Sequence, residues 1–339
     1  MNRIAIIVPT LDRHDFIHRL VNYYGSYKNI CNIYIGDSSK NKIKTNIKNK
    51  INKYNFQYFH VPGMNDREAI LYLAKQVKEK FTTCSGDDDF FIIEGLIKGV
   101  EFLKKNNQYR TAQGKHIIFI KNNDDLNSKI KSFHLHSHNN NIENNTALSR
   151  VINFSKNYYV TQFSIHRTLG FLEDSKDFVN CKNRQLGEIT HCFTTILRGK
   201  SKNIPEIFLL RQHHLDRDKS SISISEKKNW NLKNFLIERE NHNPNIFLNT
   251  LENELLKIDK LNDKEISFHS KNIINNYFTT NNVYKIRIKN IFFKFIKYFI
   301  IFFKDLNIYS IDYSFYLNKK DINILRKFVI NLEKSVKEL

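Results

Sequence analysis

The sequence predicts an α/β protein, with a mostly parallel sheet flanked by helices and an α-helical C-terminal region. Three observations predict it. Residues 1–100 alternate short apolar runs with amphipathic helical patterns, the signature of parallel strands joined by crossover helices. Ile4–Val8 is apolar at every position, as a strand covered on both faces must be. After about Ser225 the pattern turns helical and rich in Lys, dividing the chain into a domain over 1–225 and a basic helical region over 226–339.

Each element has its own reason. Ile4-Ala5-Ile6-Ile7-Val8 is stopped by Pro9 and Thr10, and Phe16, Leu20, Val21 and Tyr24 then recur at helical spacing. Ile33-Tyr34-Ile35 is a second strand that runs into the polar turn Gly36-Asp37-Ser38-Ser39. The third strand, Phe56–Val61, closes at Pro62-Gly63. A helix from about Asn65 then carries Ile70, Leu73, Ala74 and Val77 on one face. Phe81–Ser85 is a fourth strand, stopping at Gly86-Asp87-Asp88-Asp89, and Leu96, Val100 and Leu103 mark the helix beyond it. In the less regular middle, His116–Ile120 and Ile204–Arg211 read as strands, and Ala147–Phe154 and Arg167–Leu172 as helices. The Asn-rich stretch Asn122–Asn145 reads as an exposed loop, within which His134, His136 and His138 alternate.

Composition bounds the function. A chain of 339 residues allows two domains, or one large α/β domain with an appendage, at about 100–200 residues per domain. A hydrophobic content of 41% is enough for a sizeable core and argues against disorder. Cys31, Cys84, Cys181 and Cys192 form no C-x-x-C pair, which excludes a zinc ribbon or disulfide framework and suits a reducing compartment. The net charge of +20 points to nucleic acid, an anionic membrane surface or a phosphorylated substrate. Part of it reflects codon usage, since Lys, Asn and Ile are all abundant and all have A/T-rich codons. Ile4–Val8, followed at once by Asp12, Arg13, His14 and Asp15, is too short for a signal h-region, so a cytoplasmic location is expected.

In open parallel sheets, ligands bind at the carboxyl ends of the strands. Asp12 follows the first strand, Asp37 ends the second, and Asp87-Asp88-Asp89 ends the fourth. Three adjacent carboxylates repel one another and call for a compensating cation. Their hard oxygens suit Mn²⁺ or Mg²⁺, with substrate phosphates completing the shell. A solvated acidic turn or helix cap is the plainer reading of the same residues.

These residues resemble a known family. Ile4–Asn22, with Val8-Pro9-Thr10-Leu11-Asp12-Arg13, looks like the opening of GT-A glycosyltransferases of the family 2 type, whose usual pattern is apolar-Pro-Thr-x-Asn-Arg. Ile33–Ser39 is similar to their second strand with its Asp-x-Ser end, and Ser85–Phe90 to their Asp-x-Asp motif. The resemblance covers about residues 1–215. It implies that Pro9, Thr10 and Asp12 line a nucleotide pocket and that Asp37 reads the base or ribose. It makes Asp87 and Asp89 the metal pair, with Asp88 between them facing the sugar or ribose. Arg67 falls where such enzymes often place a basic residue near the diphosphate, although a surface helix position is equally open to it. Gly187-Glu188-Ile189 occupies the place of the segment that carries the base of inverting members, making Glu188 the candidate base, or else an ordinary helix-start Glu. His213 and His214 follow the strand Ile204–Arg211, where several relatives have a third metal ligand; the sequence does not choose between them. The sequence departs from the family at Gly36, where many relatives carry a second acid, at Asp12, and at Ile189.

The resemblance thus implies inverting, metal-dependent transfer from a nucleotide-sugar, a UDP-sugar being favoured, to a glycan or lipid-linked acceptor in surface polysaccharide synthesis. The run from Ile291 to Lys304 is shorter than the roughly 20 apolar residues a bilayer span needs. With Lys285, Arg287, Lys289, Lys294, Lys297 and Lys304 it suits an interfacial helix on anionic lipid, at the inner face of the cell membrane, or else a buried helix of a C-terminal bundle. Two rivals are weighed against this. A sugar nucleotidyltransferase of the same fold would carry a Gly-rich first loop, and Pro9–His14 has no Gly. A nucleic-acid-binding protein would explain the charge, but an acidic strand-end cluster repels phosphate and no recognition module is present, so no nucleic-acid partner is expected.

Overall fold

The computed structural model describes residues 3–137, 140–181, 184–215, 246–280, 310–311 and 319–337. Its first half is the expected α/β unit. Strands β1 (Ile4–Thr10), β2 (Cys31–Asp37), β3 (Gln57–His60) and β4 (Phe81–Cys84) pair in parallel in the spatial order β4-β1-β2-β3. Helices α1 (His14–Gly25), α2 (Thr45–Lys53) and α3 (Asp66–Gln76) make the crossovers that parallel pairing requires.

The apolar run of β1 is explained by its two faces. Ile4, Ile6 and Val8 join Leu20, Val21 and Tyr24 of α1 in one core, while Ala5 and Ile7 join Ile70, Leu73 and Ala74 of α3 in another. A strand turns alternate side chains to opposite faces, so a sheet covered on both sides leaves no position for a polar residue. Gly36 belongs to the same packing: a Cβ there would lie 3.0 Å from Leu73 Cδ1. Helix α3 thus presses on β2 at Gly36.

Beyond β4 come β5 (Phe90–Phe91), α4 (Ile93–Lys105), β6 (Tyr109–Lys121), β7 (Ile130–Ser137), α5 (Ala147–Lys156), β8 (Ile165–Arg167), α6 (Thr168–Phe178), α7 (Arg184–Arg198) and β9 (Lys200–His213). Here the sheet becomes mixed. β8 runs antiparallel between β4 and β6, β7 is antiparallel to β6, and β9 is parallel to β6 and antiparallel to β5.

Two expectations are corrected. Asn122–Asn145 is not one exposed loop: it contains β7, whose Ile130, Ser132 and Phe133 are buried, and Ile142 bridges to Ser201. Pairing with β6 buries apolar positions that the polar neighbourhood conceals in sequence. The helix expected over Arg167–Leu172 begins at Thr168 and runs to Phe178, Arg167 being the last residue of β8. Of the alternating histidines, His134 meets Ser132 Oγ at 2.8 Å, and His138 lies outside the described residues.

The described part of the C-terminal region is helical, as expected, apart from one two-residue strand. Helices α8 (Ile246–Asp259) and α9 (Asp263–Thr280) share a core with α5 and α7 around Phe154, Phe193, Leu251 and Ile273. A short strand, β10 (Ser310–Ile311), extends the sheet beside β7. Helix α10 (Lys319–Lys337) returns to α1: Phe328 meets the rings of Tyr23, Phe90 and Phe119 at 5.8, 5.7 and 5.5 Å, and Asn22 Nδ2 donates to Ser335 O at 2.8 Å. The run from Ile291 to Lys304 lies outside the described residues. Among those described, no helix is long and apolar enough to cross a membrane.

One buried ion network ties these layers. Asp174 of α6, fully buried, accepts from Arg110 Nε at 3.0 Å and Nη2 at 2.6 Å, from Arg198 Nη1 at 3.0 Å and from Thr195 Oγ1 at 2.9 Å. Arg198 reaches on to Glu254 of α8 at 2.9 Å. Four elements, β6, α6, α7 and α8, therefore meet on one carboxylate and its two cations.

Candidate active site

The carboxyl ends of β1, β2 and β4 lie side by side, and each is followed by a polar turn. After β1 the chain reverses at Asp12, whose φ of 53° is in the left-handed region that Asp tolerates better than most residues. The Asp12 amide donates to Ser39 Oγ at 2.7 Å, which pins this turn to the one after β2. The reversal starts α1 at His14 and delivers Arg13 to the end of β4.

Arg13 Nη1 donates to Asp87 Oδ1 at 2.6 Å and Nη2 to Asp88 Oδ2 at 2.9 Å, with the guanidinium 3.9 Å above the Phe16 ring. Thr10 Oγ1 donates to Asp87 Oδ2 at 2.7 Å. His214 Nε2 lies 2.8 Å from Asp88 Oδ2, and its Nδ1 lies 3.4 Å from Asp124 Oδ1. Asp89 turns the other way, accepting from the Gln212 amide at 3.1 Å and from Arg211 Nε at 3.4 Å. Arg19, fully buried between Phe16 and Phe90, donates to Gln212 Oε1 at 2.9 Å.

These surroundings set the protonation of the three acids. Burial pushes Asp87 up to about 6 against the pull of Arg13, and Asp89 up to about 7 against that of Arg211. Burial acts on Asp88 too, but the hydrogen bond from His214 and the charge of Arg13 outweigh it and hold this carboxyl below its usual range.

The compensating cation that the three aspartates call for is thus supplied within the chain. Arg13 lies between Asp87 and Asp88, and Arg211 beside Asp89. Asp87 and Asp89, the pair implied for a divalent ion, face different partners. Among the described residues no group of three His, Cys, Asp or Glu side chains converges as a ligand set. As arranged, these donors do not fit a divalent ion.

The other residues read from sequence fall as follows. Pro9 and Thr10 close β1 beside Gly36 and Asp37 of β2. Asp37 is fully buried: Oδ2 accepts from Tyr58 Oη at 2.7 Å and faces His14 Nε2 at 2.9 Å, while Oδ1 accepts from the Ser39 amide at 3.0 Å. His213 is exposed, whereas its neighbour His214 is buried on Asp88. Arg67, in the first turn of α3, is buried rather than a surface residue, with Nη1 on Asp66 Oδ1 at 3.1 Å. It packs on the start of α7, where a Cβ at Gly187 would lie 2.5 Å from Arg67 Cδ.

Next to that contact, half-buried Glu188 accepts from Tyr158 Oη at 3.1 Å. Burial raises its pKa, the Tyr158 hydrogen bond and the nearby Arg211 charge opposing. Arg211 therefore acts on both Asp89 and Glu188, joining the strand-end acids to the start of α7. A cavity of about 450 Å³ lined by Asp15, His18, Lys44 and Asp125 among others lies apart from these acids.

Sequence reasoning assigned no role to Arg13, His14, Arg19 or Arg211. Arg13 ends the opening motif and His14 follows it, but their partners Asp87 and Asp37 are 74 and 23 residues away. Only the folded sheet brings them together.

No protein-family model matches the chain, and no curated protein matches it. Among solved structures, it is similar to S. aureus TarS at 14% identity, covering 82% of this chain and 54% of that one, with a TM-score of 0.43. The chain thus spans about half the length of that protein. It is also similar to S. aureus TarS 1-349 in complex with UDP, at 13% identity over 99% of this chain and 90% of that one, TM-score 0.49. For S. aureus TarS 1-349 in complex with UDP-GlcNAc the values are 14% identity, 84% of this chain, 92% of that one and a TM-score of 0.42.

Proposed function

We propose that the chain is a GT-A glycosyltransferase that moves a sugar from a nucleotide-sugar, a UDP-sugar foremost, to a glycan or lipid-linked hydroxyl in surface polysaccharide synthesis. One observation carries the reading: the Arg13 pairs with Asp87 and Asp88 and the His14 pair with Asp37 lie at the strand ends where an open α/β sheet binds ligands, with Glu188 near enough to feel the charge of Arg211.

In this reading the nucleoside lies against the ends of β1 and β2 and the diphosphate against Arg13 and Arg211. Guanidinium groups suit phosphate oxygens in charge and shape, and they stabilise the charge that develops as the diphosphate leaves. The acceptor hydroxyl approaches Glu188. As its oxygen bonds to the anomeric carbon, Glu188 takes the hydroxyl proton, the bond from that carbon to the diphosphate oxygen breaks, and the nucleoside diphosphate departs with the electron pair. A single displacement of this kind inverts the anomeric centre. The raised pKa of Glu188 makes it a stronger base than an exposed carboxylate.

The lysine-rich run after residue 285 would hold the enzyme on anionic lipid at the inner face of the membrane, where a lipid-linked acceptor is found. The test is a thermal-shift screen of UDP, GDP, CDP, ADP and TDP, each in Mn²⁺ and in EDTA. Stabilisation by one nucleotide is expected, and its persistence in EDTA reports whether metal is required. No shift with any of the five would overturn the reading.

A further inference from the structure

On the reading of the site as a nucleotide-sugar pocket, we infer that His14, oriented by Asp37, is the residue that hydrogen-bonds the donor's nucleoside, and that Asp37 acts through it. The first ground is that Asp37 has no surface left to offer. It is fully buried, and its two oxygens already face three donors: Tyr58 Oη at 2.7 Å, His14 Nε2 at 2.9 Å and the Ser39 amide at 3.0 Å. A ligand could reach this carboxylate only by displacing one of them.

The second ground is what Asp37 does to His14. An ionised carboxylate only accepts, so the Nε2 that faces it carries the hydrogen. In the neutral ring Nδ1 is then a bare acceptor, and it has no hydrogen-bond partner among the described residues. The side chain keeps 19% of its surface exposed, whereas that of Asp37 keeps none. His14 thus offers a fixed acceptor beside the ends of β1 and β2, suited to a ribose hydroxyl or a ring N–H such as that of uracil.

The third ground is position. His14 directly follows Arg13, whose guanidinium holds Asp87 at the end of β4, while His14 itself holds the end of β2. Consecutive residues therefore bracket the crevice, one charged for phosphate and one an acceptor for the nucleoside. Asp37 is a positioning residue and His14 a specificity-determining one.

The experiment combines calorimetric titration with UDP and ¹⁵N NMR of the histidine rings in the full chain. Saturating UDP is expected to shift the Nδ1 resonance of His14. His14→Ala should weaken UDP about tenfold, the worth of one hydrogen bond. His14→Asn, which keeps an acceptor near the Nδ1 position, should retain most of the affinity. Asp37→Asn can donate to Nε2 and so move the ring hydrogen to Nδ1; a matching change in the ring spectrum with a similar loss of affinity is expected, which a merely structural role would not produce. Unmoved His14 resonances at saturating UDP, or wild-type affinity in His14→Ala, overturn the inference and leave the donor reading standing. Failure of the wild-type chain to bind any nucleoside diphosphate, with or without Mn²⁺, overturns both.

Discussion

Arg13 and Asp87, 74 residues apart, meet at 2.6 Å across the ends of β1 and β4, and the same guanidinium holds Asp88. Removing one partner of a buried pair is costly because the other charge stays desolvated. Arg13→Met should therefore cost about 3–5 kcal/mol of stability near neutral pH. The part of the penalty due to Asp87 should shrink in acid, where its raised pKa leaves this carboxyl neutral in the fold with or without Arg13, while the part due to Asp88, whose pKa is lowered, persists. Urea unfolding at pH 5 and pH 8 measures it, and a loss under about 1 kcal/mol at pH 8 would refute it.

Asp174 and Glu173 both touch Arg110 and Arg198, but only Asp174 is buried. Asp174→Ala leaves two guanidinium groups partly unpaired in the interior and should cost about 3–5 kcal/mol. Glu173→Ala removes a half-exposed partner and should cost about 1 kcal/mol or less. Denaturant midpoints of the two variants settle this. Equal losses would mean that burial is not what gives the network its strength.

Burial lowers His166 to about 3 and His191 to about 4, where both are neutral in the fold at every ordinary pH. The unfolded chain binds their protons from about 6.5 downward. Their contribution to stability is thus present above 6.5 and is lost as pH falls toward the folded values, by about 1.4 kcal/mol per pH unit for each. Asp87 and Asp89, raised to about 6 and 7, act with the opposite sign over the same range. The informative quantity is therefore the difference between proteins. Between pH 6 and pH 4.5 the unfolding free energy of His191→Leu should therefore rise relative to that of wild type as pH falls, by about 1.4 kcal/mol per pH unit, and parallel curves would count against the assignment.

Glu188→Gln keeps the Tyr158 contact in shape and removes the base. Turnover should fall about 10²- to 10⁴-fold while nucleotide affinity stays within about twofold. In the wild type the base must be ionised, so a raised pKa moves the acid limb of the rate profile upward from the ordinary carboxylate range. Wild-type turnover in the variant would transfer the role to another residue.

How much of this was legible depends on how local each cue is. β1 is readable because both its faces are buried and nearly every position shows it, and β2 and β4 because short buried runs end at polar turns. β7 is not, because Ile130 and Phe133 sit among Lys, Ser and Asn and owe their burial to β6. The acids of the site announce themselves by standing at strand ends. Their neutralisation does not, since Arg13 and Arg211 reach Asp87 and Asp89 from 74 and 122 residues away. Gly36 was visible in sequence, but the close approach of Leu73 of α3 to it required the fold.

Helix α10 seals Tyr23 and Phe90, next to Asp89, with residues that leave the ribosome some 300 positions after α1; the Asn22–Ser335 hydrogen bond alone spans 313 residues. Until then the nascent α/β half carries an uncovered aromatic face directly behind its acidic cluster. Folding of the N-terminal half must either wait for α10 or proceed with that face exposed to chaperones and to other chains. Emergence of α10, rather than of the Asp87–Asp89 segment, then completes the aromatic support behind the acids.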